Sequence, residues 1–445
     1  MEKSVRSSSS SSVIILLMNL VVFFHYAIAA ARPINNNQTQ TTSTSLDEEK
    51  LIDFKLKLLN KPPLKTIKSS DGDIIDCIDI YKQPAFDHPA LKNHTIQIKP
   101  SSDLLERIND TNSNYSKSVV FQTWQKNGGF CPEGSVPIRR IQRKDLVRLG
   151  NSNVGRFGQK NPYVVRHHHN TTLNDTPNAV VLLNDTRSVS LPDLVNRSVA
   201  LLVTLGYNYI GAQASLNLWN PIVLANEYST SQIWLKAGIA DTFESIESGW
   251  VVNPNLYGDT RTRLFVYWTT DGYVSKGCFD LTCSGFVHTN PNVVLGGSLE
   301  PCSSQSGPQY ELPITITLDP HVGNWWLKVG QDVAVGYWPG TLFGYLQHSA
   351  VMVQWGGEVY SPNVREQKPH TTTAMGSGQF ARLLHGEAAY VKGVRIMDYS
   401  LSLKYPEWVD TWGDEDYCYS AFNEVKYGVE PTFYFGGPGR NSLCP

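Results

Sequence analysis

An all-β fold, sandwich or barrel, behind a smaller N-terminal part of different character is what the sequence predicts, on three observations. From about Ser198 onward, apolar runs of strand length recur at regular spacing, divided by Gly, Pro and Asn turns. Aromatic and turn-forming residues are abundant, with 21 Tyr, 11 Trp, 34 Gly and 25 Pro in 445 residues. That mix favours strands joined by turns over helical bundles. Before about residue 190 the strand texture gives way to polar, basic and sequon-rich stretches.

The N-terminus carries Lys3 and Arg6, a serine run, an apolar block over 13–24 and small residues over 27–31. This is the order of a secretory signal peptide, and the block is too short to span a bilayer comfortably. Secretion is therefore expected, with 1–31 removed. Asn-x-Ser/Thr triplets at Asn37, Asn93, Asn109, Asn114, Asn170, Asn174, Asn184 and Asn196 are candidate glycosylation sites, and none follows Asn196.

Residues 32 to about 48 lack core-forming side chains and read as disordered. A short amphipathic helix over 46–59, with Leu51, Phe54 and Leu58 on its apolar face, ends before Pro62-Pro63. Lys65-Thr66-Ile67-Lys68 leads through a turn at Asp71-Gly72 to a strand over 74–81. The stretch from about 141 to 190 reads as a boundary, basic and then polar, with His167-His168-His169 near its centre. A histidine run can bind metal or sense pH, but in so polar and unpatterned a segment it reads as solvated linker. Strands are then expected at 200–205, 214–219, 231–235, 263–268, 325–329 and 333–338.

Seven cysteines in a chain bound for an oxidising compartment make disulfides the default. Cys77 and Cys131 are the only two in the first part and are expected to pair. Cys278 with Cys283 closes a tight loop, Cys418 with Cys444 clips the C-terminus, and Cys302 is left over. A zinc site needs a further ligand pair, and only His288 is near.

Two acids stand in similar surroundings. An apolar strand runs into Trp355-Gly356-Gly357-Glu358, placing Gln354, Gly356 and Glu358 on one face and Val353, Trp355 and Gly357 on the other. The glycines are expected to let another backbone approach, as an extended substrate requires. Glu247, in Glu247-Ser248-Gly249-Trp250, is also followed by small residues and an aromatic, with Glu244 close by. Two carboxylates on facing strands can divide hydrolytic work, one activating water and one protonating or stabilising the departing group. Taken alone, each is an ordinary surface acid. The formal charge of -2 and 18% charged residues give no pointer to nucleic acid. A Gly-x-Ser-x-Gly elbow, a His-Glu-x-x-His helix and a phosphate loop are all missing.

Taken together, several stretches resemble a known family. They are Asp76 to Pro89 and Cys131 to Arg140, then Gln232-Ile233-Trp234, Ile246-Glu247-Ser248-Gly249-Trp250 and Tyr267-Trp268-Thr269. Asp271-Gly272-Tyr273, Gly277 to Cys283, Gly323-Asn324-Trp325-Trp326, Trp355 to Glu358 and Phe435 to Gly439 complete the set. These resemble the plant neprosin family, prolyl endopeptidases of the glutamic class, over most of the chain after the signal peptide. The resemblance implies a β-sandwich of two antiparallel sheets with a cleft across one face, and a catalytic pair at Glu247, not Glu244, and Glu358. It implies a zymogen maturing in acid, without metal or other cofactor, acting on peptide or protein substrate with its own prodomain as intramolecular inhibitor. A monomer in the extracellular space or apoplast, with neither nucleic acid nor membrane as partner, is expected. The layout is 1–31 signal peptide, 32–150 activation peptide, 151–190 linker with the processing site, and 191–445 catalytic domain. The long polar insertion around 165–195 and the unpaired Cys302 depart from the family pattern. Two other classes remain open: a secreted glycoside hydrolase, with Trp219, Trp325 and Trp326 as stacking platforms, and a non-catalytic β-sandwich binding cell-wall carbohydrate.

Overall fold

In a computed structural model of the chain, the described residues are 40–101, 120–148, 156–160, 195–239, 242–330 and 333–445. The expected signal peptide, the histidine run and Asn37, Asn109, Asn114, Asn170, Asn174 and Asn184 lie outside them. Of the remaining sequons, Asn93 is exposed and Asn196 half-buried.

The chain divides into two compact units at Leu51/Ile52. The described part of the first is the start of the helix Gln40–Leu59, which begins inside the stretch expected to be disordered. In the second unit the helix continues, and its buried face differs from the expected one. Ile52, Leu56 and Leu59 pack among Ile141, Leu146 and Leu256, while Phe54 and Leu58 are exposed. Both triplets have helical spacing, so the surface available to pack against decides between them.

The strands Lys65–Lys68, Ile74–Asp79 and Ser135–Arg139 form a three-stranded antiparallel sheet, tied by the Cys77–Cys131 disulfide. This small sheet is bound to later parts of the second unit. The strand Phe121–Gln122 pairs with Leu299–Glu300, and Asp73 lies 2.6 Å from the buried guanidinium of Arg263. Further along, Gln97 and the Ser101 amide donate to Asp319 at 2.8 and 2.9 Å.

Two large antiparallel sheets make up the rest. One orders its strands Gly277–Phe279, Arg263–Thr269, Glu244–Val252, Tyr228–Ala237, Ala350–Tyr360, Arg197–Tyr209 and Asp410–Gly413. The other runs Val287–His288, Val333–Pro339, Asn324–Val329, Glu311–Leu318, Gly211–Asn217, Ala389–Met397, Thr432–Gly436 and Ser420–Glu424, with Leu403–Lys404 added beside Ala389–Met397. Period-two alternation sends Ile233, Leu235, Ile246, Trp250, Leu264, Val266, Val353 and Trp355 inward from the first sheet. Leu216, Ile314, Ile316, Trp325, Leu327, Val391 and Phe435 meet them from the second, so one shared core makes the fold a β-sandwich. Each strand expected from the sequence is present at or near its expected position. Cys278–Cys283 and Cys418–Cys444 are disulfides, and Cys302 is unpaired and half-buried.

Candidate active site

The same alternation that fills the core turns a second set of side chains to the opposite face of the seven-stranded sheet. Glu247 lies across from Trp234 on the strand Tyr228–Ala237, and Glu358 lies across from Thr230 on that strand's other side. Gln232 stands between those two positions, so the glutamates approach each other diagonally over it. Both are buried, at 0% and 2% exposure, although each was an ordinary acid in the sequence.

Buried carboxylates need partners, and both have them. Glu247 accepts from Ser245 Oγ at 2.7 Å and Tyr273 Oη at 2.5 Å on one oxygen. On the other it accepts from Gln232 Nε2 at 2.9 Å and Lys160 Nζ at 2.7 Å. Glu358 Oε1 accepts from Tyr228 Oη at 2.6 Å and from the same Lys160 Nζ at 3.1 Å. Arg197 Nε lies 3.8 Å from that oxygen. Tyr273 is placed by a loop in which its own φ is 69°, a conformation costly for a bulky residue. Thr269 Oγ1 holds it there by accepting the Tyr273 amide at 3.0 Å.

Lys160 comes from the stretch expected to be linker. Its ammonium is fully buried, touches both carboxylates, and lies 5.0 to 5.9 Å from the rings of Tyr273, Tyr267, Tyr228 and Phe279. The preceding residues fix it. Phe157 is buried in the aromatic cluster with Tyr228, Phe265 and Tyr267. Gly158 accepts from the Phe279 amide at 2.7 Å, with φ +79° and no room for a side chain beside Thr282. The Lys160 amide donates to Tyr267 Oη at 3.1 Å, and Gln159 Nε2 to Ser275 O at 2.8 Å. Five residues, Arg156 to Lys160, thus lie in the site.

The charges set each other. Burial pushes the Glu358 carboxyl up, but Lys160 and Arg197, with the Tyr228 hydrogen bond, outweigh it and bring it down to about 2. Burial lowers Lys160, and the two glutamates more than reverse this, so the ammonium stays charged. Tyr228 and Tyr273 are held well above the usual phenol range, by burial first and the neighbouring carboxylates next, and so remain neutral donors. Lys236, on the same face over the Trp234 and Phe243 rings, is brought down by burial to about 8.

Several expectations change in this light. Glu244 accepts the amides of Gly344, Tyr345 and Leu346 at 2.7 to 2.8 Å and so anchors a loop. Gly356, at φ +143°, and Gly249 would carry a Cβ 2.2 Å from Ala200 O and 2.0 Å from Ser231 O. These glycines admit the neighbouring strand of the sheet itself, where a substrate backbone was expected. Trp219, Trp325 and Trp326 are at most 5% exposed and sit in the core, which removes the stacking platforms of the glycoside hydrolase alternative. His288, also fully buried, has its ring nitrogens 2.8 and 2.7 Å from the Val335 and Val293 carbonyls. Gln232 and Tyr273 lie in motifs visible in the sequence. Arg197, Tyr228 and Lys160 had no signal there beyond residue type.

A family model described as Neprosin matches residues 225–438, and one described as Neprosin activation peptide matches residues 66–181. Among solved structures the chain is similar to scytalido-glutamic peptidase with a transition state analog inhibitor, at 9% identity and a TM-score of 0.30, over 54% of this chain and 97% of that one. It is also similar to SCP-B, a member of the Eqolisin family of peptidases in a complex with the tripeptide Ala-Ile-His, at 8% identity and a TM-score of 0.29 over the same shares.

Proposed function

The chain belongs to the neprosin family, with both its activation peptide and its catalytic domain, and from that premise we propose that it is a secreted glutamic endopeptidase, made as a zymogen, that cleaves peptide bonds after proline in acid. The observation that carries this reading is that Glu247 and Glu358, far apart in sequence, share one buried ammonium supplied by the activation segment.

The chemistry rests on the groups that line the pair. A water between the two carboxylates loses a proton to the ionised one and adds to the substrate carbonyl carbon. The protonated partner donates to the developing oxyanion, and Gln232, Tyr228 and Tyr273 keep both carboxyls oriented while their surroundings exclude bulk water. On collapse the C–N bond breaks and the first carboxyl returns its proton to the leaving nitrogen. The zymogen is latent because the Lys160 ammonium occupies the place of the water between the two acids. Acid that protonates one carboxylate weakens that grip, and the segment leaves with the prodomain.

The test is hydrolysis of a quenched proline-containing peptide at about pH 3 to 5, where a carboxyl pair can share one proton, by acid-treated protein beside Glu247→Gln and Glu358→Gln. Activity in the parent that collapses in both variants supports the reading. Equal activity in all three refutes the role of the pair, and cleavage without regard to proline refutes the preference.

A further inference from the structure

Each glutamate of the pair receives a tyrosine hydroxyl, Tyr273 for Glu247 and Tyr228 for Glu358, and Glu247 accepts from Ser245 and Gln232 as well. The pair is not symmetric in its cations. Arg197 opens the strand Arg197–Tyr209, across from Tyr360, on the catalytic side of the expected processing region. Its guanidinium is fully buried, with Nε 3.8 Å from Glu358 Oε1 and 3.4 Å from Tyr228 Oη. The Tyr273 and Tyr360 rings lie 5.0 and 5.9 Å from it. Glu247 meets a different set: Ser245, Gln232 and Tyr273 are neutral, and its ion-pair partner among the described residues is Lys160.

We propose that Arg197 is the positioning residue that divides the labour of the pair, holding Glu358 as the ionised base and leaving Glu247 to carry the proton as the acid. The proposal rests on the reading of the two glutamates as catalytic. When the activation segment leaves, Lys160 goes with it and Arg197 stays. Two carboxylates within reach of one ammonium cannot both remain ionised once that ammonium is withdrawn. The proton settles on the member with no remaining cation within ion-pair distance. Arg197 stands 3.8 Å from Glu358, while Lys236, which Glu247 holds up more than Glu358 does, makes no ion pair with either among the described residues. The Glu358 carboxylate then takes a proton from water as the hydroxide adds to the carbonyl carbon, and the Glu247 proton passes to the carbonyl oxygen. Collapse returns that proton to Glu247 and sends the Glu358 proton to the leaving nitrogen, so the cycle closes without further reagent. Other ionisable groups facing the guanidinium are Tyr228, Tyr273, Tyr360 and Lys160. Arg365, held by Asp414, donates to the Arg197 carbonyl, and Lys236 shares the face without an ion pair to either glutamate among the described residues.

The experiment is the pH profile of kcat/KM for the acid-matured enzyme on the quenched proline peptide. Arg197→Met is expected to move the acid limb upward by about one to three pH units, the usual effect of an adjacent arginine on a carboxyl. Arg197→Lys is expected to restore most of the shift, and Tyr228→Phe, which leaves the cation, to move the limb less. A lower kcat with an unmoved acid limb in Arg197→Met overturns the proposal. Infrared spectroscopy of mature Glu247→Gln and Glu358→Gln at the activity optimum covers a failure of Arg197→Met to fold. Glu247→Gln should remove a protonated carboxyl band and Glu358→Gln a carboxylate band; the reverse overturns the assignment. Full activity in both of those variants instead sinks the reading of the pair itself.

Discussion

Replacing Lys160 by methionine keeps the length and apolar stem of the side chain and removes only the charge. In the zymogen that ammonium is fully buried, 2.7 Å from Glu247 and 3.1 Å from Glu358. Removing one partner of a buried ion pair costs about 3 to 5 kcal/mol, because the remaining charge is left uncompensated. Here two carboxylates are left, and one can relieve the strain by taking up a proton. The latent arrangement is thus weakened by about two to four powers of ten, and acid is no longer needed to break the lysine's grip. The assay is a maturation series, with Lys160→Met and parent zymogens incubated at stepped pH and the fraction converted read on a gel after a fixed time. The pH of half-conversion is expected to rise by about one unit or more in the variant. Conversion at the same pH as the parent, with both proteins folded, would refute the role of Lys160 as the latch.

Other perturbations test the contacts between the activation peptide and the sandwich. Asp73→Asn removes a shared acceptor of Arg263 and Arg139, which keep Asp259 and Asp145; urea denaturation should show the zymogen weakened by about 3 kcal/mol. Burial lowers His94, beside Tyr337, and lowers His88, with Lys276 adding to the effect. Their folded values lie below the free value, so the docking they support is complete above about pH 6.5 and is lost as pH falls through the lowered values. In His94→Gln, amide exchange over residues 83–101 should accelerate less on acidification than in the parent. Replacing Cys77 and Cys131 together by serine opens a loop with a sequence separation of 54, and the unfolded chain's gain in entropy should cost about 4 kcal/mol in zymogen thermal unfolding. An unchanged melting temperature would argue that this bridge is dispensable.

The sequence by itself determined the all-β character of the second unit and singled out two acids. Period-two alternation over runs such as 231–235 and 263–268 specifies strands with one buried face, and the strands Tyr228–Ala237 and Arg263–Thr269 contain those runs. The cysteine pairs were legible because a short loop and a shared segment left few partners, and Cys278–Cys283 and Cys77–Cys131 are joined accordingly. Glu247 and Glu358 were legible through their motifs. Helix faces were less so: Leu51, Phe54, Leu58 and Ile52, Leu56, Leu59 are equally well spaced, and the surface they meet selects the second set.

What only the tertiary structure decided is which charges stand beside the pair. Lys160 lies in a polar stretch with no pattern, and Arg197 is one basic residue at a strand start. Local spacing encodes the side of a strand on which a residue falls, but not the diagonal across Gln232 on which Glu247 and Glu358 converge. Nor does it encode the crossing of a distant segment over that diagonal. The electrostatic partners of a buried carboxylate act across space within a few ångströms, and here Lys160 lies 87 positions from Glu247 and 198 from Glu358 in the chain.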